Sequence, residues 1–231
     1  MSTFSGKTIL VVGASGAFGA EFCTQLSVAG ASVLGSASTN ESAVRLRQDL
    51  SQRLLLNLEN EESIQVLANY LLSLPATIDG IVLAAGLVAF GSIAETPIEV
   101  TQRLMEVNAL GQIALVQLLL PKLAESAAAG NEPFVLSISG VISEAPMPGL
   151  AAYSASKTAL YGYATAASKE LRKQGIAWID ARPGHTESGL AGRAIFGTAP
   201  NFGAGKAVPE VVARILAGLA AGERDLPSSA F

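Results

Sequence analysis

Short runs of β-branched and aliphatic residues alternate along this chain with longer stretches in which apolar residues return every third or fourth position. Strand side chains repeat every two residues and helix side chains every 3.6, so the alternation reads as β-α-β-α from end to end. It predicts strands over 8–12, 32–36, 54–57, 80–84, 134–139 and 176–181. Helices are predicted from the turn after residue 16 through Phe18, Phe22 and Leu26, then over 41–50, 60–74, 98–123, 152–173 and 209–220. Strands apolar on both faces belong in a parallel sheet covered on both sides. Right-handed crossovers wind such a sheet doubly, and ligands then bind beyond the carboxyl ends of its strands. The expected fold is α/β, a doubly wound (Rossmann) parallel sheet with helices on both faces. One domain over 1–231 accommodates it, without repeat or linker.

Composition narrows the partners. The formal net charge is −4 with no basic cluster, so no nucleic-acid partner is expected. One cysteine and one histidine leave no internal disulfide and no metal site, and they fit a reducing, cytoplasmic compartment. Cys23, among apolar neighbours, reads as a small buried hydrophobe. No predominantly apolar run is read as reaching the ~20 residues of a spanning helix, so no membrane partner is expected. Lys7 and the apolar run ending near Ala20 imitate a signal peptide, but they fit better as the first strand and its turn.

Two stretches carry chemistry. Gly13-Ala14-Ser15-Gly16-Ala17-Phe18-Gly19 joins the first strand to the first helix. Glycine there allows backbone to approach a pyrophosphate, which the free N–H groups of a helix N-terminus hold. Tyr153 and Lys157 lie four apart, on one helical face. A phenol with pKa ~10 is a poor proton carrier near neutrality, and a neighbouring ammonium is expected to lower that value. Tyr153 would then serve as general acid to a ketone or general base to an alcohol.

With their surroundings these stretches resemble the short-chain dehydrogenase/reductase family. Residues 149–157, Gly-Leu-Ala-Ala-Tyr-Ser-Ala-Ser-Lys, are similar to its active-site segment. Residues 12–19 resemble its Thr-Gly-x-x-x-Gly-x-Gly turn, with Val12 for Thr and Ala17 for the middle Gly. The resemblance implies cofactor contacts at Gly13, Ser15, Ala17, Phe18 and Gly19. At the end of the second strand, where an acidic residue would hold a ribose 2′-hydroxyl, it places Ala37, flanked by Ser36 and Ser38. No carboxylate stands there to repel a 2′-phosphate, so NADP(H) is favoured over NAD(H), with Arg45 and Arg47 as helpers. Asn57 and Leu58 resemble the pair beside the adenine. Ala84, Ala85 and Gly86 end a segment like the family's Asn-Asn-Ala-Gly, although Leu83 and Ala84 replace both Asn residues. Asn108 matches the helix Asn that supports a water beside the Lys. The resemblance further implies cofactor contacts at Tyr153 and Lys157, with Lys157 bonding the nicotinamide ribose, and Pro183, Gly184 and Ser188 resemble the loop at the nicotinamide amide.

The pattern breaks at one place. The family's substrate-orienting Ser stands thirteen residues before the Tyr, where this chain has Gly140. Ser139 is its neighbour and Ser143 lies three residues on; a local bulge bringing Ser139 into place is the expectation. The implied catalytic set is then Asn108, Ser139, Tyr153 and Lys157. The implied reaction is hydride transfer between NAD(P)(H) and an uncharged, moderately apolar carbonyl or secondary alcohol. Residues 188–208, with Phe196, Phe202 and five glycines, read as a mobile cover over the substrate, and His185 as a loop side chain nearby. The helices bearing Asn108 and Tyr153 are rich in Ala and Leu, so a homodimer or homotetramer is expected. Two alternatives stay open: a nucleotide-binding sensor or scaffold that has lost the chemistry, and another doubly wound fold such as a methyltransferase.

Overall fold

A computed structural model describes residues 3–231. Among them six parallel strands, β1 (Thr8–Val12), β2 (Ser32–Ala37), β3 (Gln52–Leu55), β4 (Gly80–Leu83), β5 (Phe134–Ile138) and β6 (Ala177–Ala181), form one sheet in the order β3-β2-β1-β4-β5-β6. The order reverses between β1 and β4, which opens a crevice at their carboxyl ends.

Strand periodicity sorts the core into two layers. Ile9, Val11, Val33, Val82, Leu136 and Ile179 face α1 (Ala17–Val28) and α7 (Val208–Ala220), through Phe22, Leu26, Val212 and Ile215. Leu10, Val12, Leu34, Ile81 and Val135 face α3 (Glu61–Ser73), α5 (Gly111–Ala128) and α6 (Ala151–Leu171). Each fully buried aliphatic side chain contributes roughly 1.5–3 kcal/mol, so these layers hold the strand ends in place. Cys23 is fully buried in the first layer, and burial pushes its thiol up to about 12, which leaves it inert.

Several boundaries differ from the sequence reading. The helix predicted over 41–50 is one short turn, α2 (Asn40–Ala43), capped by Thr39 and Ser42. Beyond it Leu46 and Leu50 reach the core from turns while Val44 is exposed; the fourfold spacing of the two leucines imitates a helical face that the chain does not form. Strand β3 pairs two residues earlier than predicted, with Leu34 opposite Gln52, as an edge strand with exposed Arg53 and Leu55. The long helix predicted over 98–123 is α4 (Ile98–Met105), a π-helical turn Glu106–Leu110 and α5. This continuous stretch, Ile98–Ala128, is long and apolar enough to cross a bilayer by length and composition, contrary to the run-length reading; half of its most apolar window is buried against the core. After α7, Leu226 is buried and bridges Ala181, a one-residue trace of a further parallel strand.

Candidate active site and nucleotide cradle

The turn after β1 is shaped by contacts that admit no side chain. Gly13 has φ +81°, and a Cβ there would lie 2.8 Å from the Ala85 backbone. A Cβ on Gly19 would come 2.2 Å from the Gly13 carbonyl oxygen. Glycine at both positions lets α1 press onto the turn, leaving a concave backbone surface at a helix N-terminus that no side chain caps. The cradle fits a dinucleotide pyrophosphate. Ser15, Ala17 and Phe18 lie along it, the last two half-buried against the first core layer. Ser36 is placed differently from the expectation: it is buried, and its Oγ accepts the Gly13 N–H (3.2 Å), bracing the turn from beneath. Of the hydroxyls flanking Ala37, only that of Ser38 is exposed. Arg45 reaches across to the Ser15 carbonyl oxygen (3.5 Å), whereas Arg47 is spent on Asp49 and Thr24.

The crevice floor is built by the π turn. An extra residue per turn directs Asn108 inward, where it is fully buried. Asn108 accepts from Leu87 N–H (2.8 Å) and donates to the Leu87 carbonyl and to Ser156 Oγ (2.9 Å each). It thereby ties the loop after β4 to α6. Gly86 sits between: a Cβ on it would be 3.4 Å from Asn108 Oδ1 and 3.5 Å from Lys157 Nζ. Lys157 is buried and donates to the Ile138 carbonyl at the end of β5 (2.8 Å). Burial lowers its pKa to about 8, against the opposing pull of the Asp180 carboxylate. One turn earlier on α6, Tyr153 packs against Val88, Phe90, Ile142 and Leu150. Burial there pushes the phenol up to about 12, with no lowering from Lys157, so the direction expected from sequence is reversed.

Ser139 does not reach this cluster. The N–H groups of Ser139 and Gly140 both donate to the Ala181 carbonyl (3.1 and 3.2 Å), so a bulge-like doubling is present. It leaves Ser139 on the same strand face as Ser137, fully buried, with its hydroxyl donated to Asp180. Gly140 turns out of the strand at φ +74°. Ser143 is buried too, its Oγ 2.8 Å from the Gly140 carbonyl oxygen. The turn after β5 therefore offers the cleft no hydroxyl.

The remaining predicted contacts ring the crevice. Leu58 is buried, and Asn57 is exposed with its Oδ1 accepting from Glu59 N–H. Ala84, Ala85 and Gly86 line the exit of β4, half-buried. Pro183 is buried, Gly184 and Ser188 are half-buried, and Ser188 Oγ accepts weakly from Leu190 N–H (3.4 Å). The segment 188–208 is tied down rather than free: Ile195 N–H bonds the Val88 carbonyl, and Phe90 N–H the Phe196 carbonyl (2.9 Å each). Phe202 lies tilted between the rings of Phe90 and His185, and it packs against the same apolar cluster as Tyr153. Sequence reasoning missed Gln112, whose Nε2 holds the Ala85 carbonyl (3.1 Å), and it missed Ser156 and Asp180. Their signal is polarity at positions whose period points into the core.

Comparison with known proteins agrees with this fold. The short chain dehydrogenase family model matches residues 7–195. A dehydrogenase/reductase SDR family protein 7-like from Anopheles gambiae is 30% identical, over 96% of this chain and 74% of its own length. Its Drosophila melanogaster namesake is 27% identical over 86% of this chain, which spans only 63% of that relative. Among solved structures, a short chain dehydrogenase from Burkholderia cenocepacia J2315, in complex with NADP, superposes with TM-score 0.82 at 22% identity, covering 97% of this chain and 88% of its own. A 3-ketoacyl-(acyl-carrier-protein) reductase from Brucella melitensis, complexed with NADH, gives TM-score 0.86 at 21% identity, covering 98% and 99%.

Proposed function

The chain belongs to the short-chain dehydrogenase family, a family of oxidoreductases, and from that premise we propose that it interconverts a carbonyl compound and its alcohol with a nicotinamide nucleotide. The observation that carries the reading is the junction of Asn108, Gly86 and Lys157 below Tyr153, at the carboxyl ends of β4 and β5. The glycine cradle at residues 13–19 would hold the pyrophosphate, and the loops at 84–86 and 183–188 would border the nicotinamide. When bound, that cofactor supplies or takes up the hydride. Tyr153 gives its proton to the substrate oxygen in reduction and removes one in oxidation. Lys157, one turn further along α6, brings a positive charge to the floor of the crevice, and Asn108 fixes the loop after β4 that borders it. Ser139 has no part in the proton transfer. The apolar cluster of Phe90, Phe202 and Leu190 suits an uncharged, apolar carbonyl or secondary alcohol.

Tyr153→Phe tests this: turnover of NADPH or NADH with a ketone panel should fall by about 10²-fold or more, the usual worth of a positioned acid, with nucleotide affinity unchanged. Retained turnover would overturn the assignment. One observation favours a second reading, a nucleotide-binding sensor: Gly140 brings no hydroxyl to the substrate oxygen. Tight nucleotide binding without turnover across the panel would select it. A homodimer or homotetramer is proposed as well, since Ile98 and Leu110 stay exposed on the stretch that carries Asn108. Sedimentation showing only monomer at micromolar concentration would reject it.

A further inference from the structure

Asp180 takes no part in the proton transfer above, yet it is only 5% exposed, on the strand next to β5. It stands opposite Ser137 in the β5–β6 register. Ser137 Oγ donates to its Oδ2 (2.5 Å), while Ser139 Oγ donates to its Oδ1 and Arg182 Nη1 approaches the same oxygen (3.3 Å). Trp178 Nε1 in turn donates to Ser137 Oγ (3.1 Å), which commits the Ser137 proton to the carboxylate. Burial pushes the Asp180 pKa up, and these donors oppose it; a carboxylate that only accepts is the ionised form. The residue between the two gripped serines is Ile138, whose carbonyl receives Lys157 Nζ.

We propose that Asp180 is a positioning residue for Lys157: by gripping Ser137 and Ser139 it aims the Ile138 carbonyl at the ammonium, and it supplies the buried negative charge that this ammonium faces. The other charged groups nearby leave it that role. Arg182, just after β6, pairs with Glu144 in the turn after β5 and bidentately with Asp225 after α7 (2.7 and 2.8 Å), and it lies over the Tyr161 ring of α6. On α6 and the π turn, Tyr153 one turn earlier, Ser156 next in sequence and Asn108 across Gly86 are neutral. Asp180 is the anion whose field reaches the lysine.

The kinetic consequence rests on the function proposed above, but the electrostatic one does not. In cofactor-free full-length protein carrying ¹³C-labelled lysine, the Lys157 resonance, assigned with Lys157→Arg, should titrate near pH 8. In Asp180→Asn, its midpoint should fall by about one pH unit or more, a tenfold loss of proton affinity. The alkaline limb of kcat/KM for carbonyl reduction should move down with it. Ser137→Ala/Ser139→Ala keeps the charge and removes the grip; its kcat should fall about tenfold with nucleotide affinity unchanged, because a misplaced ammonium loses alignment rather than binding. An unmoved Lys157 midpoint in Asp180→Asn overturns the proposal. Should that variant not fold, wild-type kcat in the double serine variant overturns it instead. A wild-type protein inert toward every carbonyl would remove the assigned function, and the lysine titration would still decide the Asp180–Lys157 coupling.

Discussion

Tyr153 and Lys157 are moved in opposite directions by one cause. Burial disfavours charge, so the phenol rises to about 12 and the ammonium drops to about 8. Near neutrality the phenol is a proton donor and the lysine still carries its charge, a pairing suited to reduction. Reduction should therefore hold its kcat/KM on the neutral side and lose it as pH rises through about 8, where Lys157 gives up its proton. A pH profile flat to pH 10 would contradict this. The neighbouring arginines separate in the same way by what they touch. Arg45 overhangs the phosphate turn and Arg47 is paired elsewhere, so Arg45→Ala should weaken NADPH about tenfold, the worth of one charge-assisted contact, and leave NADH and Arg47→Ala near wild type. Equal losses for both nucleotides in equilibrium titrations would remove Arg45 from cofactor discrimination.

At the scale of elements, the π turn between α4 and α5 matters most, because it inverts what a regular helix would do with Asn108. Three hydrogen bonds in a fully buried setting make that side chain costly to lose. Asn108→Ala should destabilise by about 2–4 kcal/mol, from a cavity plus the unpaired Leu87 backbone, measurable by urea unfolding. Gly19→Ala should abolish nucleotide binding, since its methyl would sit 2.2 Å from the Gly13 carbonyl oxygen. The sheet and its crevice were legible from period and turn chemistry, and the place of Tyr153 and Lys157 one turn apart on a helix from their spacing. The π turn was not, because Glu-Val-Asn-Ala-Leu is a run that an α-helix carries as readily, so the inserted residue leaves no mark in the sequence. Nor was the direction of Ser139: strand alternation sets it beside Ser137, but only the partner on β6, Asp180, reveals that this face is already occupied. The phenol's shift was misjudged because sequence spacing reports proximity to a lysine and not exclusion from water.

For the whole molecule, the last turn of chain is bound to the site through Arg182. Its guanidinium is buried, while its partner Asp225 is half-exposed beyond α7, next to the Ala181–Leu226 bridge. Asp225→Ala should cost about 1–2 kcal/mol, because a buried cation loses a bidentate partner, while Asp49→Ala, in a surface pair, should leave the unfolding midpoint unchanged. Equal midpoints for the two variants would dismiss Arg182 as a tie between chain end and crevice. Gly140 bears on what its position can carry. With φ +74° and ψ 165° its backbone follows a path that L-amino acids resist by about 1–3 kcal/mol, although a side chain there would find open space. Serine here would have room for its hydroxyl but would carry that strain, so a hydroxyl beside the cleft at this position trades against the stability of the turn between β5 and α6.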